Sequence, residues 1–202
     1  KLRDDRQLAD WFSGIPLEPG EDEVLDRVIR FNQSDFIELN QWGTNESFQT
    51  LLGDTIIKEL SLKSQDDISG FDRSLGAKTD SGNSYFNRGA AKAVEGWQIL
   101  SPVRKLAHGV EGINRLVHKI YRSEMIKFAQ REKYRKIPKP MGADQIVYGD
   151  KGINNINHTH DRVYPKDGAT QYIANGEIGL VVGQFWTPKL KHAPRTLQVE
   201  FS

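Results

Sequence analysis

Trp97-Gln98-Ile99-Leu100 is stopped by Ser101-Pro102, passes into the basic loop Val103-Arg104-Lys105, and opens into Gly109-Val110-Glu111-Gly112-Ile113-Asn114-Arg115-Leu116. The order predicts a short buried strand, a proline stop and then an amphipathic helix. Proline cannot continue a ladder, and Val110, Ile113, Val117 and Ile120 recur at helical spacing. A strand handing straight to a helix points to an α/β fold and delivers Arg104 to the sheet edge, where such sheets bind ligands. Arg115, His118, Lys119 and Arg122 fall on the other side of the same helix, toward solvent.

Composition narrows the class further. A chain of 202 residues holds one or two domains with real cores, and 37% apolar with 27% charged residues is the balance of a globular protein. It contains no apolar run of about 18 residues to span a membrane and no signal-peptide pattern, so no membrane partner is expected. The absence of cysteine excludes disulfides and thiolate metal sites and fits a cytoplasmic protein. The chain opens at Lys1 and ends at Val199-Glu200-Phe201-Ser202, inside what reads as a strand. A piece of a longer polypeptide is therefore expected.

The formal net charge of +1 conceals an asymmetry. Residues 1–72 carry 7 Lys/Arg against 16 Asp/Glu, a difference of −9, whereas residues 73–202 carry 21 against 11, a difference of +10. Within the basic part, residues 104–139 hold eleven Lys/Arg and three Glu, with Tyr121, Phe128 and Tyr134 interleaved. Cations with aromatics suit a nucleic-acid backbone and its bases, although a solvated helix face has the same composition.

Along the chain, Leu8, Trp11 and Phe12 mark one face of a helix over residues 4–13 that Gly14 ends. Gly20-Glu21-Asp22-Glu23 suggests a short acidic turn, and Phe36-Ile37-Glu38-Leu39 a strand. Thr44 is an N-cap for a long helix carrying Phe48, Leu51, Leu52, Ile56 and Leu60. Residues 61–93 lack periodicity and read as an excursion from the fold, with a loop at Asp80-Ser81-Gly82-Asn83-Ser84. Pro138 and Pro140 suggest a domain boundary. Beyond it, 145–148, 152–156, 177–182 and 197–201 are short strands suited to a small barrel. Asn175-Gly176 predicts a type I′ hairpin joining Tyr172-Ile173 to Ile178, with Ile178, Leu180 and Val182 on one face.

The segment from Trp97 to Leu116 resembles motif IV of RecD-like superfamily 1 DNA helicases, in which a strand ending in Ser/Thr-Pro precedes an arginine and a Gly-Val-acid-x-Leu/Ile-Asn helix; Leu106 stands where the family has glycine. Tyr148-Gly149-Asp150-Lys151, Ile153-Asn154-Asn155-Ile156-Asn157-His158 and Asn175-Gly176-Glu177-Ile178-Gly179 resemble the series that follows in the UvrD/RecD-like C-terminal domain. Ile156 replaces an arginine there, and Asp161 to Gln171 lengthen the first loop. The resemblance covers residues 97–125 and 145–201. It implies part of RecA-like domain 2A over residues 1–140 and, over 141–202, a small antiparallel β-barrel of the Src-homology-3 type, the 2B domain that lies beside single-stranded DNA. It also implies a nucleotide role for Arg104 and Lys105, with ATP and magnesium in the parent protein. Nucleic-acid contacts are implied at Ser101, Pro102, Arg115, Lys119, Arg122, Asn157, His158 and Asn175.

No G-x-x-x-x-G-K-[ST] loop and no Asp-Glu pair after an apolar strand occurs, so this stretch alone is expected to hydrolyse no ATP and to bind no cofactor of its own. Each candidate has an alternative: Arg104 either senses the γ-phosphate or pairs with a carboxylate, and Asn157 and His158 either touch DNA or satisfy loop carbonyls. His158-Thr159-His160 with Asp161 suggests a metal site, but no third ligand stands at a suitable spacing. Trp42, Trp97 and Trp186 read as packing aromatics. The leading expectation is a segment of an ATP-dependent DNA helicase that works on single-stranded DNA with the remaining motor domains of its polypeptide. A stand-alone single-stranded nucleic-acid-binding module and a metal-dependent hydrolase are the alternatives.

Overall fold

The computed structural model describes residues 3–16, 19–20, 23–30, 34, 36–131, 138–186 and 194–202, without the side chain of Trp186. The chain is mixed helix and sheet, 36% helical and 17% strand, which agrees with an α/β class at that level of detail. It divides into two units, Lys1–Leu51 and Leu52–Ser202. The boundary expected near Pro138 and Pro140 is not where the division falls. No helix among the described residues is long and apolar enough to cross a membrane.

In the first unit, α1 (Asp4–Phe12) ends as expected at Gly14, whose φ of +75° suits glycine. On the face that carries Leu8, Trp11 and Phe12, Leu8 is half-buried and the two aromatics are exposed, while Gln7 is buried. Arg27 satisfies the buried Gln7: its guanidinium donates to Asp4 Oδ1 at 2.8 Å and to Gln7 Oε1 at 3.2 Å. Arg27 follows α2 (Glu23–Leu25) in a π-helical turn, Asp26–Arg30, and Val24 and Val28 are buried one turn apart. Glu21 and Asp22 of the expected acidic turn lie outside the described residues, and no strand forms over 36–39. The Thr44 cap is present. Ser47 N–H donates to Thr44 Oγ1 at 3.1 Å and Thr44 N–H to Ser47 Oγ at 3.0 Å, closing the first turn of α3 (Asn45–Glu59).

The second unit overturns the expectation that residues 61–93 leave the fold. They supply most of its core. Leu62, Phe71, Leu75, Ala77, Phe86, Ala90 and Ala91 pack with Ile56, Val94, Tyr121 and Leu180. Non-periodic sequence hides this because each element is short: α4 (Ile68–Ser74), the hairpin β1 (Lys78–Asp80) and β2 (Asn83–Tyr85), and a 3-10 helix, Ala90–Ala93. Asp67 caps α4 by accepting from Gly70 N–H at 2.8 Å. Ser81 and Gly82 both have positive φ between paired Asp80 and Asn83, so the type I′ turn sits here.

Trp97–Leu100 forms no ladder, and Leu100 is 86% exposed, so the buried strand expected there is absent. α5 (Val110–Gln130) follows, with Ile113, Tyr121, Arg122 and Ala129 buried. β3 (Lys151–Ile153), β6 (Ile178–Trp186) and β7 (Pro194–Phe201) make an antiparallel sheet in the order β3-β6-β7. Ile178, Leu180 and Val182 turn to the core as their alternation requires. Glu200 on β7 reaches back to the 3-10 helix, its carboxylate accepting from Gly89 N–H at 2.7 Å and Ala91 N–H at 3.2 Å.

The predicted hairpin at Asn175-Gly176 is not formed. β5 (Tyr172–Ile173) pairs with β4 (His158–Thr159), not with β6. Only Gly176 has positive φ, and Glu177 N–H closes the turn on Ala174 O at 3.3 Å. Asn154 captures the departing strand through its side-chain amide, which donates to Ala174 O at 2.8 Å and Ile173 O at 3.3 Å. The described ladders are all antiparallel, and they form neither a RecA-like parallel sheet nor a closed barrel.

Candidate nucleotide and nucleic-acid interface

The loop between Ser101 and Gly112 is closed by its own atoms. Ser101 Oγ lies 2.9 Å from His108 O and 3.1 Å from Val103 O, donating to one of them, and accepts from Val103 N–H at 3.3 Å. Val110 and Glu111, the first residues of α5, donate their amides to Val103 O and Arg104 O, both at 3.0 Å. Donors that a helix usually leaves open are therefore spent on the loop. Gly109 and Gly112 permit the approach: a Cβ on Gly109 would meet Arg104 O at 2.7 Å, and one on Gly112 would collide with the carbonyls of Ala107 and Leu106.

This closure presents Arg104 outward. Its side chain is 82% exposed and its Nε stands 3.3 Å from Glu111 Oε1, so the carboxylate alternative is realised in this structure. A pair this exposed contributes at most about 1 kcal/mol and yields readily to a stronger anion. Lys105 is exposed beside it, and Pro102 is exposed at the loop's entry. Arg115 and Lys119 are exposed on α5, with Arg115 Nε donating to Glu111 O at 3.2 Å. Lys133 and Tyr134 of the basic segment lie outside the described residues.

Arg122 requires correction. The periodicity placed it toward solvent, but it is 2% exposed. Its guanidinium donates to Asp72 Oδ1 at 2.7 Å, Asp150 Oδ1 at 3.1 Å, Gly149 O at 2.7 Å and Tyr121 O at 3.3 Å. It has no free face for a phosphate. The Asp150 carboxylate also stands 3.2 Å from His118 Nε2 and accepts from Val147 N–H at 2.8 Å. His118, expected on the outer face, is half-buried. Sequence reasoning passed over Asp72 entirely. An arginine one residue from the buried face beside two isolated aspartates is the available signal, since a charge there needs partners.

Asn157 is exposed, and its Oδ1 accepts from Asn175 N–H at 2.7 Å, a loop-satisfying role that joins these two candidates to each other. His158 and His160 are both exposed with ring centroids 4.5 Å apart. Among the described residues no group of three His, Cys, Asp or Glu is placed to hold a metal ion. The expected candidates thus fall in separate places: Ser101, Pro102, Arg104 and Lys105 on the loop, Arg115 and Lys119 along α5, and Asn157, His158 and Asn175 around the β4–β5 ladder.

Trp97 packs against the core, its indole N–H donating to Ser74 Oγ at 3.2 Å. Lys151 lies over the ring at 4.6 Å and donates to Trp97 O at 2.6 Å. Burial pushes the Lys151 ammonium below the usual lysine range. Burial likewise pushes the Tyr121 phenol up; its ring stacks on Phe71 at 3.8 Å, and its hydroxyl has no hydrogen-bond partner among the described residues. Comparison of the chain with protein-family models, curated proteins and solved structures returned no match.

Proposed function

We propose that the chain is part of an ATP-dependent DNA helicase resembling the RecD-like superfamily 1 enzymes, contributing a portion of RecA-like domain 2A and a single-stranded-DNA-handling 2B barrel. Two motif blocks in the right order support this reading. The observation that carries it is the self-closed loop from Ser101 to Gly112, which holds its backbone fixed while Arg104 stands 82% exposed on a weak ion pair. A motor arginine needs a rigid base and a free guanidinium, so that it stabilises charge on the γ-phosphate at the transition state.

The loop limits how ATP could be met. The Val110 and Glu111 amides are occupied, so contact falls to the side chains of Arg104 and Lys105. With no three-ligand group among the described residues, this reading assigns the magnesium ligands to the parent's other motor segments. Single-stranded DNA is assigned to Arg115 and Lys119, to Pro102, and to the Asn157–His158–Asn175 edge; Arg122 and the Ser101 hydroxyl, both occupied within the chain, leave the set. On this reading the protein acts on cytoplasmic DNA.

In the full-length parent, Arg104→Ala should lower DNA-stimulated ATP turnover roughly 10²-fold or more. Unchanged turnover removes the role of Arg104. A parent that binds single-stranded DNA in a salt-dependent way yet hydrolyses no ATP favours the second reading, a nucleic-acid-binding module, for which the exposed Arg115 and Lys119 on α5 speak.

A further inference from the structure

We infer that the turn Tyr148–Lys151 is a coupling joint, in which Asp150 and Lys151 act as positioning residues that hold the Arg104 loop in register with the β-sheet. The inference rests on the helicase reading. Between them the residues of the turn hold the β1–β2 hairpin exit, β6, α5 and the Trp97 segment. Tyr148 Oη accepts from Phe86 N–H at 2.7 Å, at the exit of the β1–β2 hairpin. Gly149 donates its amide to Val181 O of β6 at 2.8 Å and accepts from Arg122 of α5 at 2.7 Å; a Cβ there would strike the Phe86 ring.

Asp150 and Lys151 supply the decisive pair of contacts. Lys151 Nζ holds Trp97 O at 2.6 Å, four residues before the loop's Ser101 staple. Asp150 holds Arg122 and His118 on α5, after the loop. The segment carrying Arg104 is thus fixed on both sides by adjacent residues of one turn, and that turn runs directly into β3 and so into the sheet. A force that displaces β3 displaces Trp97 and α5 together, and the closed loop between them moves as a body. Two sites that bias one such element are energetically coupled. DNA held at the Asn157–His158–Asn175 edge, which Asn154 ties to the end of β3, and nucleotide held at Arg104 are the two sites.

The test uses the full-length parent, with ATP turnover measured with and without a saturating single-stranded oligonucleotide. Lys151→Met keeps the stem over Trp97 and removes the bond to its carbonyl. His118→Leu frees one side of Asp150 and leaves the Arg122 pairs in place, so it decides alone if Lys151→Met does not fold. The expected result is a loss of about fivefold in the ratio of DNA-stimulated to DNA-free turnover, with the DNA-free rate within about twofold of wild type and normal melting. Folded variants that keep the wild-type ratio overturn the inference, as do variants whose two rates fall together, since that marks a structural role only. Absence of DNA stimulation in the wild type fails the helicase reading itself and takes this inference with it.

Discussion

The loop Ser101–Gly112 and the turn Tyr148–Lys151 are both glycine-containing connections next to charged side chains, yet they are held in opposite ways. The loop is closed by partners within ten residues, through Ser101, Val110 and Glu111. Apart from the local contact of Asp150 with Val147, the turn is closed by Phe86, Trp97, Arg122 and Val181, none nearer than 27 residues. Local closure leaves its arginine exposed and exchangeable, whereas non-local closure buries its arginine and makes it a fixture. One cation suits a ligand that comes and goes, and the other suits a permanent joint.

The largest test breaks the non-local side. Arg122→Met leaves Asp72 buried and unpaired and Asp150 short of its main partner, and should destabilise the second unit by about 3–5 kcal/mol in chemical denaturation. A loss below about 1 kcal/mol, as for an exposed pair, would contradict the burial described. An intermediate effect breaks the local side. Gly112→Ala should stabilise a helix by about 1 kcal/mol on propensity alone. Here the added methyl meets the Ala107 and Leu106 carbonyls, so a net loss of roughly 1–3 kcal/mol is expected, with faster proteolysis between Val103 and Gly109. A stabilised variant would show that the loop does not sit on the helix.

The smallest effect sharpens the comparison by removing a polar group that the non-local core does not use. Tyr121→Phe deletes a buried hydroxyl without a described partner and should change stability at neutral pH by about 1 kcal/mol or less, in the stabilising direction. Because the folded phenol titrates above its usual value of 10.0, its contribution is fully present below that value and is lost as pH rises through the raised one. Melting followed from neutral pH to above 10.0 should therefore fall less steeply in the variant. Parallel curves would remove the burial of Tyr121 as the cause.

What sequence made legible follows the same division. The Thr44 cap, the Gly14 stop, helix α5 and the strands β6 and β7 rest on signals carried within a few residues, and they stand where they were expected. The exposure of Arg104 and Lys105 was legible too, since Ser-Pro, the basic pair and the two glycines fall within one short stretch. Lost were features decided by distant partners. Residues 61–93 become core only when Tyr121 and Leu180 arrive. Tyr172-Ile173 pairs with His158-Thr159 rather than across Asn175-Gly176. Arg122 turns inward because Asp72 and Asp150, 50 and 28 residues away, outbid water for it. Periodicity assigns a face to a side chain but cannot see a carboxylate across the core.

The Glu200 carboxylate has a consequence in time. It supplies the acceptors for Gly89 and Ala91 at the start of the 3-10 helix, 111 and 109 residues earlier in the chain. At about 5–20 residues per second of synthesis, those amides wait roughly 5–20 seconds for their partner to leave the ribosome. Through that interval the Phe86–Ala91 surface lacks its capping carboxylate, and for most of it β6 as well. A nascent chain stalled before residue 200 should therefore be unusually open to protease and to chaperone capture around Gly89, and should close when β7 emerges.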